Sequence, residues 1–290
     1  MGSWAQAIRD RLARGETVHM PGVYDALTAR LAAEAGFDVL FVSGYSVSAS
    51  RLGMPDFGYL TQTEMADAAR AVCGATDRPV IVDADTGYGN PLNAIRTAHA
   101  LNQAGAAGIF LEDQQWPKKC GHFAGKRVIE RDEWLAKLRA VLDQRAEGVD
   151  LFLVARTDAR AAHSLGDAID RARAARDLGV DAIFVEAPES VTELEQVADK
   201  VDGVVRVANM IEGGRTPLLT PSELHDLGYD LVVTPLSALF AATRGVRDAL
   251  AVLKQEGSLR HRPDLLVAFA DFEPVVDLDH HRRLEERFRS

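Results

Sequence analysis

The stretch VIVDADTGYGN (80–90) sets Asp83 at the end of an apolar run and Asp85 two residues further on. If strand-like alternation continues that far, both carboxylates point to one side. Hard oxygen ligands at a strand end suit Mg²⁺, which takes one or two carboxylates and completes its octahedron with water and substrate oxygens; Mn²⁺ is the alternative ion. Gly87 and Gly89 let such a loop approach a ligand closely. The plainer alternative is an Asp-rich turn in which Asn90 caps a helix beginning at Pro91.

Other chemistry-bearing residues end other apolar runs. GIFLEDQ contributes Glu112 and Asp113, which could extend a metal site or, for Glu112, form an ion pair inside the fold. Arg156 ends LFLVAR, and its planar fork can hold a carboxylate bidentately; pairing with Glu186 is the alternative, compatible use. NMIEGGRTP (209–217) joins Asn209 to a glycine pair that makes either a substrate-facing loop or a simple turn. WPKKCGHFAGK (116–126) places Cys120 among three lysines, a histidine and two glycines, with almost nothing apolar. Lysines and His122 beside a thiol favour the thiolate and equip Cys120 to exchange protons near neutral pH. The competing reading is a basic solvent-exposed loop with an incidental cysteine. The spacing disfavours zinc, because Cys120 and His122 form an isolated C-x-H without further ligands at zinc spacing.

These residues need a frame that aims them at one point. Eight short β-branched runs recur, at 17–20, 39–43, 79–83, 107–113, 151–157, 182–187, 204–209 and 231–235. Helix-spaced stretches such as 25–36, 91–105 and 165–179 lie between them, several ending in glycine. Near-continuous apolar strands alternating with helices indicate a parallel sheet covered on both faces. Eight units predict an α/β fold of the closed (β/α)8 TIM-barrel type. An open doubly wound sheet is the alternative, but the glycine fingerprint expected after its first strand is missing. In a barrel the active site collects where strands end at the C-terminal face. Reading along the runs, that face receives Ser43, Gly44 and Tyr45; Asp83 and Asp85; Glu112 and Asp113; Arg156; Glu186; Asn209; and Thr234 with Pro235.

Composition bounds the rest. The 290 residues are 47% hydrophobic and 26% charged, as in ordinary globular proteins. One barrel spanning 1–290, with a helical extension over about 240–290, is the economical division. A formal net charge of −10 without a basic face argues against nucleic acid or an anionic membrane as partner. No apolar run approaches the roughly 20 residues of a membrane span, and the N-terminal stretch lacks a signal peptide's apolar core, which predicts a cytoplasmic protein. Cys73, in ARAVCGA, reads as a small buried helix residue.

Taken together, KKCGH after a strand ending in ED, with DADTGYGN, VARTDAR, FVEAP and NMIEGGRTPLLT, closely resembles the isocitrate lyase/phosphoenolpyruvate mutase superfamily. The likeness runs from MPGVYDALTA (20–29) nearly to the C-terminus. Within it, FVSGYSVSASRLGMPDFG and EDQQWPKKCGHFAGK look most like the petal death protein, 2,3-dimethylmalate lyase and methylisocitrate lyase group.

The resemblance implies a Mg²⁺-dependent C–C lyase that splits a 2-hydroxy dicarboxylic acid into a 2-oxo acid and a carboxylic acid through an enolate. Carboxyphosphonoenolpyruvate mutase-type P–C bond formation and oxaloacetate hydrolysis are the alternatives, and a metabolite-binding barrel without turnover is the non-enzymatic one. Hydrolases of this group tend to carry serine where Pro235 stands here, which disfavours hydrolysis. The implied metal ligands are Asp83, Asp85, Asp56 and Glu112. Ser43, Gly44 and Tyr45 would bind the 2-oxo-acid end and Arg156 a carboxylate, with Gly121, His122, Glu186 and Asn209 completing the pocket. Cys120 is the implied acid, His122 its neighbour in the catalytic loop, and Tyr45 or a metal-bound water the acceptor of the hydroxyl proton. The resemblance also implies a terminal helix exchanged between subunits of a homodimer or homotetramer.

Overall fold

The computed structural model describes residues 3–120 and 125–289. Its strands follow the eight apolar runs: β1 Val18–Val23, β2 Leu40–Val42, β3 Val80–Asp83, β4 Gly108–Glu112, β5 Phe152–Thr157, β6 Ala182–Val185, β7 Val205–Asn209 and β8 Leu231–Thr234. Each pairs in parallel with the next, and β8 returns to β1, so the sheet closes into a (β/α)8 barrel. The first run extends beyond Met20 to Val23, through Pro21 and Gly22. At Gly22 a Cβ would stand 1.9 Å from the carbonyl oxygen of Pro235, so only glycine lets these two strand ends approach.

The anticipated helices form with caps their sequences carry. Asp25 and Thr28 make a capping box for Ala26–Glu34, Asn90 and Asn93 make one for Pro91–Gln103, and Ser164 caps Leu165–Asp177. The Asn90 cap therefore forms, directly after the acidic loop that ends β3.

Side-chain parity then sorts each strand between two apolar layers. Phe41, Ile81, Phe110, Val154, Phe184, Val207 and Val233 fill the barrel interior, while their neighbours Val42, Val82, Leu111, Ala155, Val185, Ala208 and Val232 lie in or beside the layer under the helices. Two residues on, the same inward parity falls on Ser43, Asp83, Glu112, Arg156, Glu186, Asn209 and Pro235. Phe41, Phe110 and Phe184 form an aromatic floor beneath them, with ring centroids 4.8 and 5.7 Å apart. Ala5 and Ile8 of the helix Trp4–Ala13 pack into the interior cluster.

Beyond β8, the 20-residue helix Ser237–Glu256 buries no residue, and neither do Phe269–Phe272 and Leu278–Phe288. Val246, Leu250 and Leu253 form an exposed stripe at helical spacing, and Phe269 is 84% exposed. Among the described residues, no helix is long and apolar enough to cross a membrane.

Candidate active site

A cavity opens above the aromatic floor. Ser43, Tyr45, Asp56, Asp83, Cys120, Arg156, Glu186 and Asn209 line it, with Ile211, Val233, Pro235 and Leu236 as an apolar wall. Strand parity accounts for most of the polar members. Gly44 lies at the same level: a Cβ there would meet Asp83 Oδ2 at 2.8 Å. Gly121 and His122 lie outside the described residues.

The acidic half is built from three elements. β3 ends at Asp83, and Asp85 does not continue its alternation: its φ is 47°, in the left-handed region. Instead the Asp85 N–H donates to Asp83 Oδ1 at 3.1 Å, and Tyr88 Oη donates to Asp85 Oδ2 at 2.7 Å. The glycines of this loop serve packing: a Cβ on Gly87 would press on Ala94 and Leu111, one on Gly89 on Asn93. Register places Glu112 of β4 beside Arg156 of β5, with Nε 3.4 Å from Glu112 Oε2. Asp113, of opposite parity, faces away. It accepts from Thr157 Oγ1 at 2.6 Å and from the Asp158 N–H at 2.8 Å, and pairs with Arg171 at 3.2 Å. Thr234 likewise turns outward, 3.1 Å from His19 Nε2.

The expected use of the lysines changes. Lys118 Nζ does not face the thiol; it lies 2.6 Å from Asp56 Oδ1, 2.7 Å from Asp56 Oδ2 and 2.6 Å from Asp85 Oδ1. Lys119 sits over the Phe57 ring at 5.9 Å. Lys126, at the far end of the segment, buries its ammonium 2.6 Å from Asp158 Oδ1. Cys120 is buried, 9% exposed, and not displayed on a solvated loop, while Cys73 is half-buried with its thiol pushed up to about 11 by burial. The Cys120 N–H donates to the Asp56 carbonyl at 3.1 Å, and Gln114 holds both the N–H and carbonyl of Lys119.

Arg156 turns Nε and Nη2 toward Asp158, at 3.0 and 3.2 Å, and stacks over Phe184 at 5.5 Å. Its Nε is also 3.6 Å from Glu186, whose carboxylate accepts from Asn209 Nδ2 at 3.3 Å. The internal ion pair with Glu186 therefore forms, and Asp158 and Glu112 join it. Lys118, Lys126 and Asp158 escaped the sequence reading. Asp158 carried a usable signal, standing two residues after Arg156 as Asp85 stands after Asp83.

Crowding shows in the proton affinities. Burial, then Asp85, pushes Asp83 up to about 6; burial raises Glu112 far above the carboxylate range despite Arg156. Burial, then the charges of Cys120 and Asp56, raises the Tyr45 phenol, so it stays protonated near neutral pH. Carboxylates outnumber cations around the cavity, and Glu112 Oε1 is buried without a hydrogen-bond partner. Both features fit a divalent cation held by Asp83, Asp85, Asp56 and Glu112. Among the described residues, no three acidic, histidine or cysteine side chains already converge as a ligand set, because Lys118 lies between Asp56 and Asp85.

Comparison with known proteins agrees with this geometry. The family model described as phosphoenolpyruvate phosphomutase matches residues 8–254. Carboxyvinyl-carboxyphosphonate phosphorylmutase, chloroplastic, of Arabidopsis thaliana is 51% identical, over 93% of this chain and 80% of that protein. The petal death protein of Dianthus caryophyllus is 46% identical, over 94% and 86%. Among solved structures, 2,3-dimethylmalate lyase superposes with a TM-score of 0.94 at 33% identity, covering 100% of this chain and 97% of that one. Oxaloacetate acetylhydrolase in complex with 3,3-difluorooxalacetate gives 0.92 at 34% identity, covering 98% and 96%. Phosphonopyruvate hydrolase in complex with oxalate and Mg²⁺ gives 0.88 at 26% identity, covering 100% of both. The chain is an enzyme of the phosphoenolpyruvate phosphomutase family, within the isocitrate lyase/phosphoenolpyruvate mutase superfamily.

Proposed function

We propose that this enzyme is a Mg²⁺-dependent lyase that cleaves the C2–C3 bond of a 2-hydroxy dicarboxylic acid of the 2-alkylmalate or methylisocitrate type. The observation that carries the reading is the mixed lining of one cavity: the carboxylates of Asp56, Asp83 and Glu186 with Arg156, the Cys120 thiol and Tyr45 phenol, and the apolar side chains of Ile211, Val233, Pro235 and Leu236. When bound, the cation supplies Lewis-acid stabilisation of negative charge on the 2-oxo-acid fragment.

The chain's own groups do the rest. Arg156, fixed by Asp158 and Phe184, orients a substrate carboxylate. Loss of the C2 hydroxyl proton turns its oxygen into the carbonyl of a 2-oxo acid, and the C2–C3 electron pair passes to C3 as an enolate. Tyr45, kept protonated, donates a hydrogen bond, so the hydroxyl proton passes to a water beside the carboxylate cluster. Cys120 transfers its S–H proton to the enolate carbon, releasing the carboxylic acid. The apolar wall accommodates alkyl groups, and burial of Cys120 keeps water from the carbanion.

A phosphonomutase is the second reading, favoured by the 51% identity to the Arabidopsis phosphorylmutase. Oxaloacetate hydrolysis is a third, for which Pro235 on the cavity wall offers no hydroxyl. The deciding experiment incubates the enzyme with a panel of 2-hydroxy diacids, oxaloacetate and a carboxyphosphonate, with and without Mg²⁺. Release of a 2-oxo acid only with metal supports the lyase; a P–C product with no release from any diacid replaces it with the mutase.

The exposed apolar stripe on Ser237–Glu256 supports assembly into a homodimer or homotetramer in which the terminal helices cross to a neighbour. A monomeric mass by light scattering would refute that. A cytoplasmic location is the accompanying reading.

A further inference from the structure

The geometry points to Lys118 as a built-in competitor for the divalent cation: metal binding displaces its ammonium from Asp56 and Asp85 and thereby releases the Lys118–Cys120 segment. The inference rests on the metal reading above and adds to it a coupling between metal and thiol.

Lys118 Nζ contacts both oxygens of Asp56 and one of Asp85 within 2.6 to 2.7 Å, and the side chain is 4% exposed. Mg²⁺ binds carboxylate oxygens at about 2.0–2.1 Å. An ammonium and a divalent cation cannot share those oxygens, because both need the same space and their charges repel at close range. Asp83 and Glu112 add to the negative field that holds whichever cation is present. Lys118 is also tied to the rest of its segment. Two residues on, the Cys120 N–H bonds to the carbonyl of the same Asp56, and Lys119 is held at both ends of its peptide by Gln114. Withdrawing Lys118 from Asp56 therefore pulls on the bond that seats Cys120. Metal arrival thus frees an ammonium and loosens the backbone that seats the thiol.

The test uses the full-length protein with Mg²⁺ alone. Hydrogen–deuterium exchange of peptides covering 116–120 is followed with and without saturating metal, and metal affinity is measured by calorimetry for wild type and Lys118→Met. Faster exchange of this segment on Mg²⁺ binding to wild type is expected. Lys118→Met should bind metal at least about tenfold tighter and show no metal-dependent change in exchange, because no cation has to leave a buried site. Tighter binding in that variant alone would also follow from deleting a nearby positive charge, so the wild-type exchange decides. If metal binds wild type and the segment's exchange is unchanged or slower, the displacement is wrong while the metal reading stands. If neither protein binds metal, both fall. Should Lys118→Met fail to fold, Lys118→Arg keeps the charge and should bind metal within about threefold of wild type while preserving the exchange response.

Discussion

In the segment Trp116–Lys126 it is Lys118, Cys120 and Lys126 that are buried while Trp116 stays exposed; the helix Ser237–Glu256 carries a row of apolar residues, yet buries none of them. Lys118 and Lys126 explain the first case. Lys118 reaches Asp56 and Asp85 on two different loops and Lys126 reaches Asp158 after β5, so ion pairing draws both lysines into the barrel mouth. In the second, the apolar stripe finds no counterpart within its own chain. Burial thus follows the available partner: buried carboxylates at the mouth, and a second copy of the chain in the proposed assembly.

The comparison can be tested at both ends. The largest effect is expected from Cys120→Ser. If the segment is buried to present a proton donor, kcat falls by about 10²–10⁴-fold with the melting temperature unchanged; full activity would leave its burial without a catalytic purpose. Next comes Asp158→Asn, which removes a buried negative charge from between Lys126 and Arg156 and should cost about 3–5 kcal/mol in denaturant unfolding. The double variant with Lys126→Met should recover part of that loss, and simple additivity would show that the pair does not hold the segment. At the other region, Val246→Glu with Leu250→Glu should reduce the mass seen by light scattering to that of a smaller species while leaving the barrel's circular dichroism intact. An unchanged mass would mean that this stripe is not the interface.

The smallest effect concerns pH. Burial opposes ionisation of Asp158, but Arg156 and Lys126 hold it well below the usual carboxylate range. A folded pKa depressed in this way contributes stability that is present above the unfolded value of about 3.9 and is lost as pH falls below it. Wild type should therefore lose more stability between pH 5 and pH 3 than Asp158→Asn, as read from paired denaturation curves.

Much of the fold and part of the site were legible before any coordinates. Eight apolar runs mark eight strands, and counting by twos from Phe41, Ile81, Phe110, Val154, Phe184 and Val207 lands on the inward polar residues. The same parity separates Glu112 from Asp113, neighbours that the bare motif ED does not distinguish. What escaped were partners remote in sequence. Asp85 leaves strand parity through a positive φ, and the role of the lysines around Cys120 depends on carboxylates carried by other loops.

The sequence by itself determined strand order, the residue types at each strand end, helix caps and the acidic, thiol-bearing character of the mouth, because these depend on local periodicity and chemistry. The tertiary structure alone decided that Lys118 meets Asp56 and Asp85, that Lys126 meets Asp158, and that Glu112 stands beside Arg156. Those pairings arise only when the sheet closes, since barrel register and loop approach bring together charges whose spacing along the chain carries no trace of their contact.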